Sequence, residues 1–172
     1  MWCFIGTNPL RLTSRLKAIT HDAFSLGVGI YLAYHVDQAP RLTFLVLVVW
    51  LAFATNKVID IFGHGTRGGR PVRSFWTHSV FTAPVWGIAV ALVSAYLLDI
   101  ILGEAMTTSQ GLLAGGIGIA FACSHLLLDA LTEGGVYLGS RRVALAHLRY
   151  DNLILNGVFT ALGVLLAFAA FA

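Results

Sequence analysis

The sequence predicts an all-α, polytopic integral membrane protein, a bundle of about five transmembrane helices, and three observations carry that expectation. Of its 172 residues, 58% are hydrophobic and only 11% charged, a composition that suits lipid as solvent. Five apolar runs of about spanning length follow one another, at 19–36, 42–62, 79–98, 112–131 and 153–171. The ionisable residues avoid the centres of these runs and gather at their ends.

Taken in order, residues 1–18 have neither a basic n-region nor an apolar core of signal-peptide length, so they read as a retained cytosolic or interfacial lead-in. The first run then serves as the insertion signal. Residues 37–41, with Pro40, make a tight turn to the second run. The link at 99–110 is short and acidic. By contrast 63–77 and 132–152 are longer, basic and glycine-bearing, as functional loops often are. Gly111, Gly115 and Gly118, with Ala114 and Ala122, let the fourth helix approach a neighbour closely in lipid. Cys3 and Cys123 are too few and too far apart for a disulfide framework. The chain reads as one domain, 1–172.

Five spans place both long loops on the N-terminal side. That side carries Arg11, Arg15, Lys17, Lys57, Arg67, Arg70, Arg73, Arg141, Arg142 and Arg149, and the other side only Arg41. The positive-inside rule makes the basic side cytoplasmic, with the chain in the cell (inner) membrane. The net charge of +3 is therefore a topology signal, and no specific nucleic acid is expected as a partner.

The site candidates follow from depth. Ser124-His125-Leu126-Leu127-Leu128-Asp129 sets a histidine and a carboxylate four residues apart, on one face of a helix. An ionisable pair is costly in so apolar a segment and marks a functional site. His21 starts the first helix, Asn56, Asp60 and His64 stand at or just past the end of the second, and His78 starts the third. In an up-and-down bundle these ends share one face of the membrane. Asp60 and His64 repeat the four-residue spacing, although Gly63 can end the helix before His64. His21, Asp60, His64, His78, His125 and Asp129 thus offer nitrogen and oxygen ligands for one or two divalent transition metals, zinc first, with manganese or iron compatible. Such a metal makes hydroxide available near neutral pH, which is hydrolase chemistry. Arg67, Arg70, Arg73, Arg141, Arg142 and Arg149 are forked donors for a phosphate, or headgroup contacts of the bilayer, and a phospholipid satisfies both.

Those residues also resemble a known family. T-H-D at 20–22, N-K-V-I-D-I-F-G-H at 56–64, T-H-S at 77–79, H-L-L-L-D-A-L-T-E-G-G-V-Y at 125–137 and L-A-H-L-R-Y-D-N at 145–152 are similar to the membrane-bound metal-dependent hydrolases related to the LexA-binding inner-membrane hydrolase, in their archaeal-type branch. The likeness runs from about His21 to Asn156. It implies distant kinship with zinc-dependent phospholipase C, a helical fold and a multi-metal phosphoesterase centre. By position, His21, Asp60, His78, His125 and Asp129 match the expected ligands. Many members have a His-Arg pair before T-H-S where this chain has Val72-Arg73, which makes His64 the natural substitute or lowers the metal count.

A second likeness competes. Ser140-Arg141, then His147, then Asp151 reproduce one element of type 2 phosphatidic acid phosphatases, in which a histidine attacks phosphorus and an aspartate orients it without metal. The remaining elements of that family are missing here. His147 and Asp151 otherwise border the site. There is no H-E-x-x-H for a metalloprotease. A metal-binding scaffold or transporter is the non-enzymatic alternative, although transporters carry polar groups near the midplane. The leading expectation is a metal-dependent phosphoesterase acting on a phospholipid or other amphiphilic phosphate ester. In it Asp60, His78, Arg73, His147 and Asp151 are the catalytic candidates.

Overall fold

The computed structural model describes residues 9–36, 42–67, 70–103 and 106–172. Among them the elements run α1 (Pro9–Val36), α2 (Leu42–Gly63), β1 (His64–Arg67), β2 (Arg70–Arg73), α3 (Phe75–His78), α4 (Ala83–Leu102), α5 (Thr108–Ala130), β3 (Val136–Leu138), β4 (Arg141–Val143) and α6 (Leu153–Ala169). The turn at 37–41 and Cys3 lie outside the described residues.

The fold class is the expected one, a membrane helix bundle. Leu42–Gly63, Ala83–Leu102 and Thr108–Ala130 are long and apolar enough to cross a membrane, and Leu153–Ala169 is apolar but shorter. α1 falls short in apolarity because Thr20, His21, Asp22 and Ser25 occupy its middle. The helix also begins at Pro9, so part of the expected lead-in continues the first helix; proline suits a first helical turn, where its missing N–H goes unused.

Capping explains the other boundaries. Thr107 accepts from Gln110 N while the Gln110 side chain returns to Thr107 N, a capping box that starts α5 four residues before the expected Leu112. Gly103, at φ +64°, closes α4 in the left-handed conformation. Asn152 accepts from Leu155 N at 3.0 Å and starts α6. α4 starts at Ala83 with a proline in its first turn, which leaves His78 on the separate short helix α3.

The five long helices alternate in direction. Asn56 of α2 meets Asp22 and Ser25 of α1, Trp50 of α2 donates to Ser94 of α4 at 3.0 Å, and Gly87 of α4 abuts Gly118 of α5. α6 lies parallel to α1, through Thr160 on Thr20, Gly163 on Gly27 and Phe171 on Tyr34. The two glycine pairs bring backbones so close that a Cβ on either partner would overlap the other's carbonyl or, at Gly163, the neighbouring backbone of α1. Of the expected small-residue stripe, Gly118 makes the close contact, whereas Gly111 and Gly115 have open space around them. Leu47, Val48, Leu51, Ile117 and Phe121 fill the core between α2 and α5, and α4 and α6 keep large apolar side chains exposed, as lipid-facing helices do.

The two long loops carry structure of their own. β1 and β2 form a hairpin that sets His64 opposite Arg73, and β3 and β4 form another that sets Val136 opposite Val143. The loops are joined by a bridge between Ser79 and Tyr137, with Val80 N donating to Tyr137 O at 3.0 Å. Together they cover the end of the bundle where α1, α2 and α5 bring their polar residues.

Candidate metal centre

His125 and Asp129 stand one turn apart on α5, each 1% exposed. Around them the fold gathers the other expected ligands. His21 from α1 stacks on His125 with ring centroids 4.2 Å apart and brings Nε2 to 3.6 Å from Asp129 Oδ1. His78 from α3, wholly buried, brings Nε2 to 3.3 Å from Asp129 Oδ2, and His125 Nε2 is 3.5 Å from the same oxygen. Asp60 from α2 has Oδ1 at 3.6 Å from His125 Nε2 and 3.7 Å from His64 Nδ1. Two groups result, His21–His125–Asp129 and Asp60–His64–His78, each with ligand atoms mutually within 4.8 Å. The first is buried, and the second opens outward at Asp60 and His64, which are 34% and 41% exposed.

Local sequence explains the convergence. Gly63 lets the chain leave α2 beside the His78 ring, since a Cβ there would overlap that ring and the Thr77 hydroxyl. His64 is then the first residue of β1, yet its Nδ1 still hydrogen-bonds Asp60 O at 2.9 Å, so the four-residue spacing works across the helix end.

Hydrogen bonding fixes the tautomer of His125. Asn56 Nδ2 donates to Asp22 Oδ1 at 3.0 Å, which orients the amide so that Oδ1, 3.1 Å from His125 Nδ1, accepts the Nδ1 proton. In the neutral ring Nε2 is therefore a lone pair. That lone pair faces oxygens of Asp129 and Asp60 and has no hydrogen-bond partner. His78 has Nδ1 2.9 Å from Thr77 Oγ1, a hydroxyl able to donate or accept there, and its Nε2 is buried without a hydrogen bond. Burial pushes the His78 imidazole below its ordinary pKa of 6.5, against the opposing pull of Asp129, and so favours the neutral, ligating form. Imidazole nitrogens and carboxylate oxygens facing one another at this range could hold a cation between them. The donor set, neutral imidazole and carboxylate, fits zinc, manganese or iron.

Arg73 comes from β2 and is nearly buried, with Nη2 on Asp129 Oδ1 at 2.5 Å and Nη1 on Gly135 O at 2.7 Å. Burial lowers its pKa and Asp129 raises it, and the guanidinium remains charged at any working pH. Gly134 admits it, because a Cβ there would overlap the guanidinium. Its donors hold the Asp129 carboxylate and the second loop, so Arg73 is a positioning residue for a ligand and not the solvent-facing phosphate donor expected from the sequence.

The other described candidates are exposed or make different contacts. His147 is exposed, at φ +51°, and Asp151 pairs with Arg149 at 3.0 Å; among the described residues no hydrogen bond or ion pair joins His147 to Asp151. Arg142 donates from Nε to Gly134 O at 2.5 Å and from Nη2 to Glu133 O at 3.1 Å, bracing its loop. Arg141 is exposed. The Arg67 and Arg70 side chains lie outside the described residues. The sequence shows Asn56 at the depth of the site but no role for it; Asp22 and Thr77 stand beside His21 and His78 in the T-H-D and T-H-S motifs, and Ser25 carries no local signal.

Comparison with protein families gives one match, to residues 16–128, and the matching family is described as "Protein of unknown function (DUF1286)". The chain belongs to the DUF1286 family. The match takes in His21, Asn56, Asp60, His64, His78 and His125, and it ends one residue before Asp129. Comparison with curated proteins and with solved structures gives no match. The DUF1286 family description names no activity, so function is argued from the geometry.

Proposed function

We propose that this DUF1286 protein is a membrane-embedded, metal-dependent hydrolase, a phosphoesterase acting on a phospholipid or another amphiphilic phosphate ester. The observation that carries the reading is the pair of buried Nε2 atoms, on His78 and His125, that face Asp129 Oδ2 and find no hydrogen bond. His21, His125 and Asp129 would hold one ion, and Asp60, His64 and His78 a second. A bound metal would supply Lewis acidity and lower the pKa of a bound water to about 7. The chain's own residues do the rest. Asn56 holds His125 in the ligating tautomer, Thr77 hydrogen-bonds His78 Nδ1, and Arg73 fixes Asp129 against the loop carbonyl of Gly135. Asp60 and His64, the half-exposed edge, are where substrate would meet the site, and Asp60 is the group placed to take a proton there.

Depth supports the substrate class. The cluster lies at the end of the bundle beside exposed Trp76 and Phe81, which suit a membrane interface. The alternating helix directions support five spans, with α1 and α6 crossing beside the three fully qualified helices, and the basic loops support a cytoplasmic site in the cell membrane. The exposed position of His147, and the pairing of Asp151 with Arg149, favour the metal mechanism over a histidine nucleophile.

The test is hydrolysis of a panel of phosphate esters, including phosphatidic acid and p-nitrophenyl phosphate, by detergent-purified protein before and after chelation. The reading expects activity that a chelator abolishes, that zinc or manganese restores, and that His78→Ala lacks. Activity indifferent to the chelator, or metal binding with no cleavage of any ester, would contradict it.

A further inference from the structure

On the flank of α5 away from the ligand cluster, the structure holds a cavity of about 350 Å³ between this helix and the β3–β4 hairpin, within the size range of small-molecule sites, roughly 300–1,000 Å³. Cys123, Leu127 and Ala130 line it from α5, where their spacing puts them on one stripe. Val136, Leu138 and Val143 line it from the hairpin. The register pairs Val136 with Val143, and Leu138 with Arg141. Side chains alternate across a strand, so Arg141 shares the cavity face of the hairpin with those three apolar residues, and Tyr137 and Arg142 occupy the other face. That other face is engaged, through Tyr137 Oη on Arg73 O at 3.3 Å and Arg142 on the Glu133 and Gly134 carbonyls. Arg141 is exposed at the end of the apolar lining.

A cationic fork at the rim of an apolar cavity matches a ligand with a hydrocarbon chain and an anionic head. α5 is one of the membrane-spanning helices, and the exposed aromatics near α3 mark the interface at this end of the bundle. Lipid is therefore the apolar ligand at hand. We infer that the cavity binds a phosphate-bearing membrane lipid, with one hydrocarbon chain between α5 and the hairpin and the headgroup phosphate on Arg141. The site is separate from the ligand cluster and does not rest on the hydrolase reading. A chain seated there braces Val136, next to Gly135, whose carbonyl anchors Arg73.

The experiment uses the full chain in phosphatidylcholine vesicles containing a minor fraction of phosphatidic acid with a diazirine in its acyl chain. After irradiation, labelled peptides are mapped by mass spectrometry. Labelling is expected to concentrate on residues 123–130 and 136–145, and to be competed by unlabelled phosphatidic acid but not by diacylglycerol. Leu127→Trp, or Cys123→Trp should the first variant misfold, fills the cavity from an exposed position and should remove that labelling. Arg141→Gln should weaken competition by phosphatidic acid about tenfold, the worth of one hydrogen bond to a charged group. Labelling spread evenly over the exposed faces of α4 and α6, or unchanged by both tryptophans, would overturn the assignment. These readouts measure lipid occupancy, so they stand or fall independently of turnover.

Discussion

Replacing Asn56 with leucine should loosen the metal centre without removing a ligand. Asn56 accepts from His125 Nδ1 at 3.1 Å while donating to Asp22 Oδ1 at 3.0 Å. Leucine has similar bulk and can do neither. His125 is then free to place its proton on Nε2, the atom that faces Asp129 and Asp60, and ligation must first reverse that choice. Loss of such a supporting hydrogen bond costs about 10–100-fold in metal affinity, equivalent to about 1.4–2.7 kcal/mol. Leaving His125 Nδ1 and Asp22 without their partners also costs stability, about 1–3 kcal/mol for each group, so the assay must separate affinity from folding. Zinc affinity is read by competition with a chromophoric chelator in detergent, normalised to the fraction that elutes as folded protein. His35→Leu is the control, since His35 is exposed at the other end of α1 and bonds Tyr31 O. Wild-type affinity in folded Asn56→Leu protein, or an equal loss in His35→Leu, would refute the reasoning.

Further outcomes follow from the same geometry. Arg73→Ala removes the guanidinium from a buried carboxylate that three histidines also face and should destabilise the metal-free protein by about 3–5 kcal/mol; metal should recover part of that loss, read as a larger melting shift on zinc addition than in wild type. Because burial holds His78 below its ordinary 6.5, the unfolded chain binds the proton more readily than the folded one. The contribution of His78 to the stability of the metal-free protein is thus fully present above about pH 6.5 and is lost as pH falls below it, and His78→Gln should flatten this part of a denaturation profile. Gly118→Ala should lower the melting temperature and Gly115→Ala should not, since only the former meets the Gly87 carbonyl, an overlap worth about 1–3 kcal/mol. His147→Ala should leave metal content and hydrolysis intact, and loss of hydrolysis alone would revive the histidine-nucleophile mechanism. A C-terminal reporter should be active outside the cytoplasm, and cytoplasmic activity would overturn the five-span arrangement.

The bundle was legible because apolar run length needs no tertiary information, and so was the depth at which His21, Asp60, His78, His125 and Asp129 meet. What joins them was less so. The i, i+4 spacing placed His125 beside Asp129, but nothing local says that Asp129 is the shared centre, facing histidines from three helices and an arginine from a hairpin. The sequence offers Arg73 as a free phosphate donor, because what turns it inward is the β1–β2 pairing within its own loop and the contacts with Asp129 and Gly135 that no local pattern shows. The Ser140–Arg141, His147 and Asp151 spacing misled in the opposite way. Four residues bring side chains together on a helix, whereas the chain around His147 is irregular, with φ +51° at that residue, and Asp151 turns to Arg149. The first helix shows the cost of the site itself. The polar residues that Thr20 to Ser25 contribute to the cluster lower its apolarity below that of α2, α4 and α5.

Whether His21, Asp60, His64, His78, His125 and Asp129 hold metal is decided by metal analysis. The chain is purified in detergent, stripped with chelator, reloaded with zinc, freed of unbound ion and measured for zinc per chain alongside a His78→Ala/His125→Ala variant of unchanged helicity. One to two zinc ions are expected per wild-type chain and none retained by the variant. A wild-type chain that retains no metal, or a variant that retains as much, would contradict that expectation.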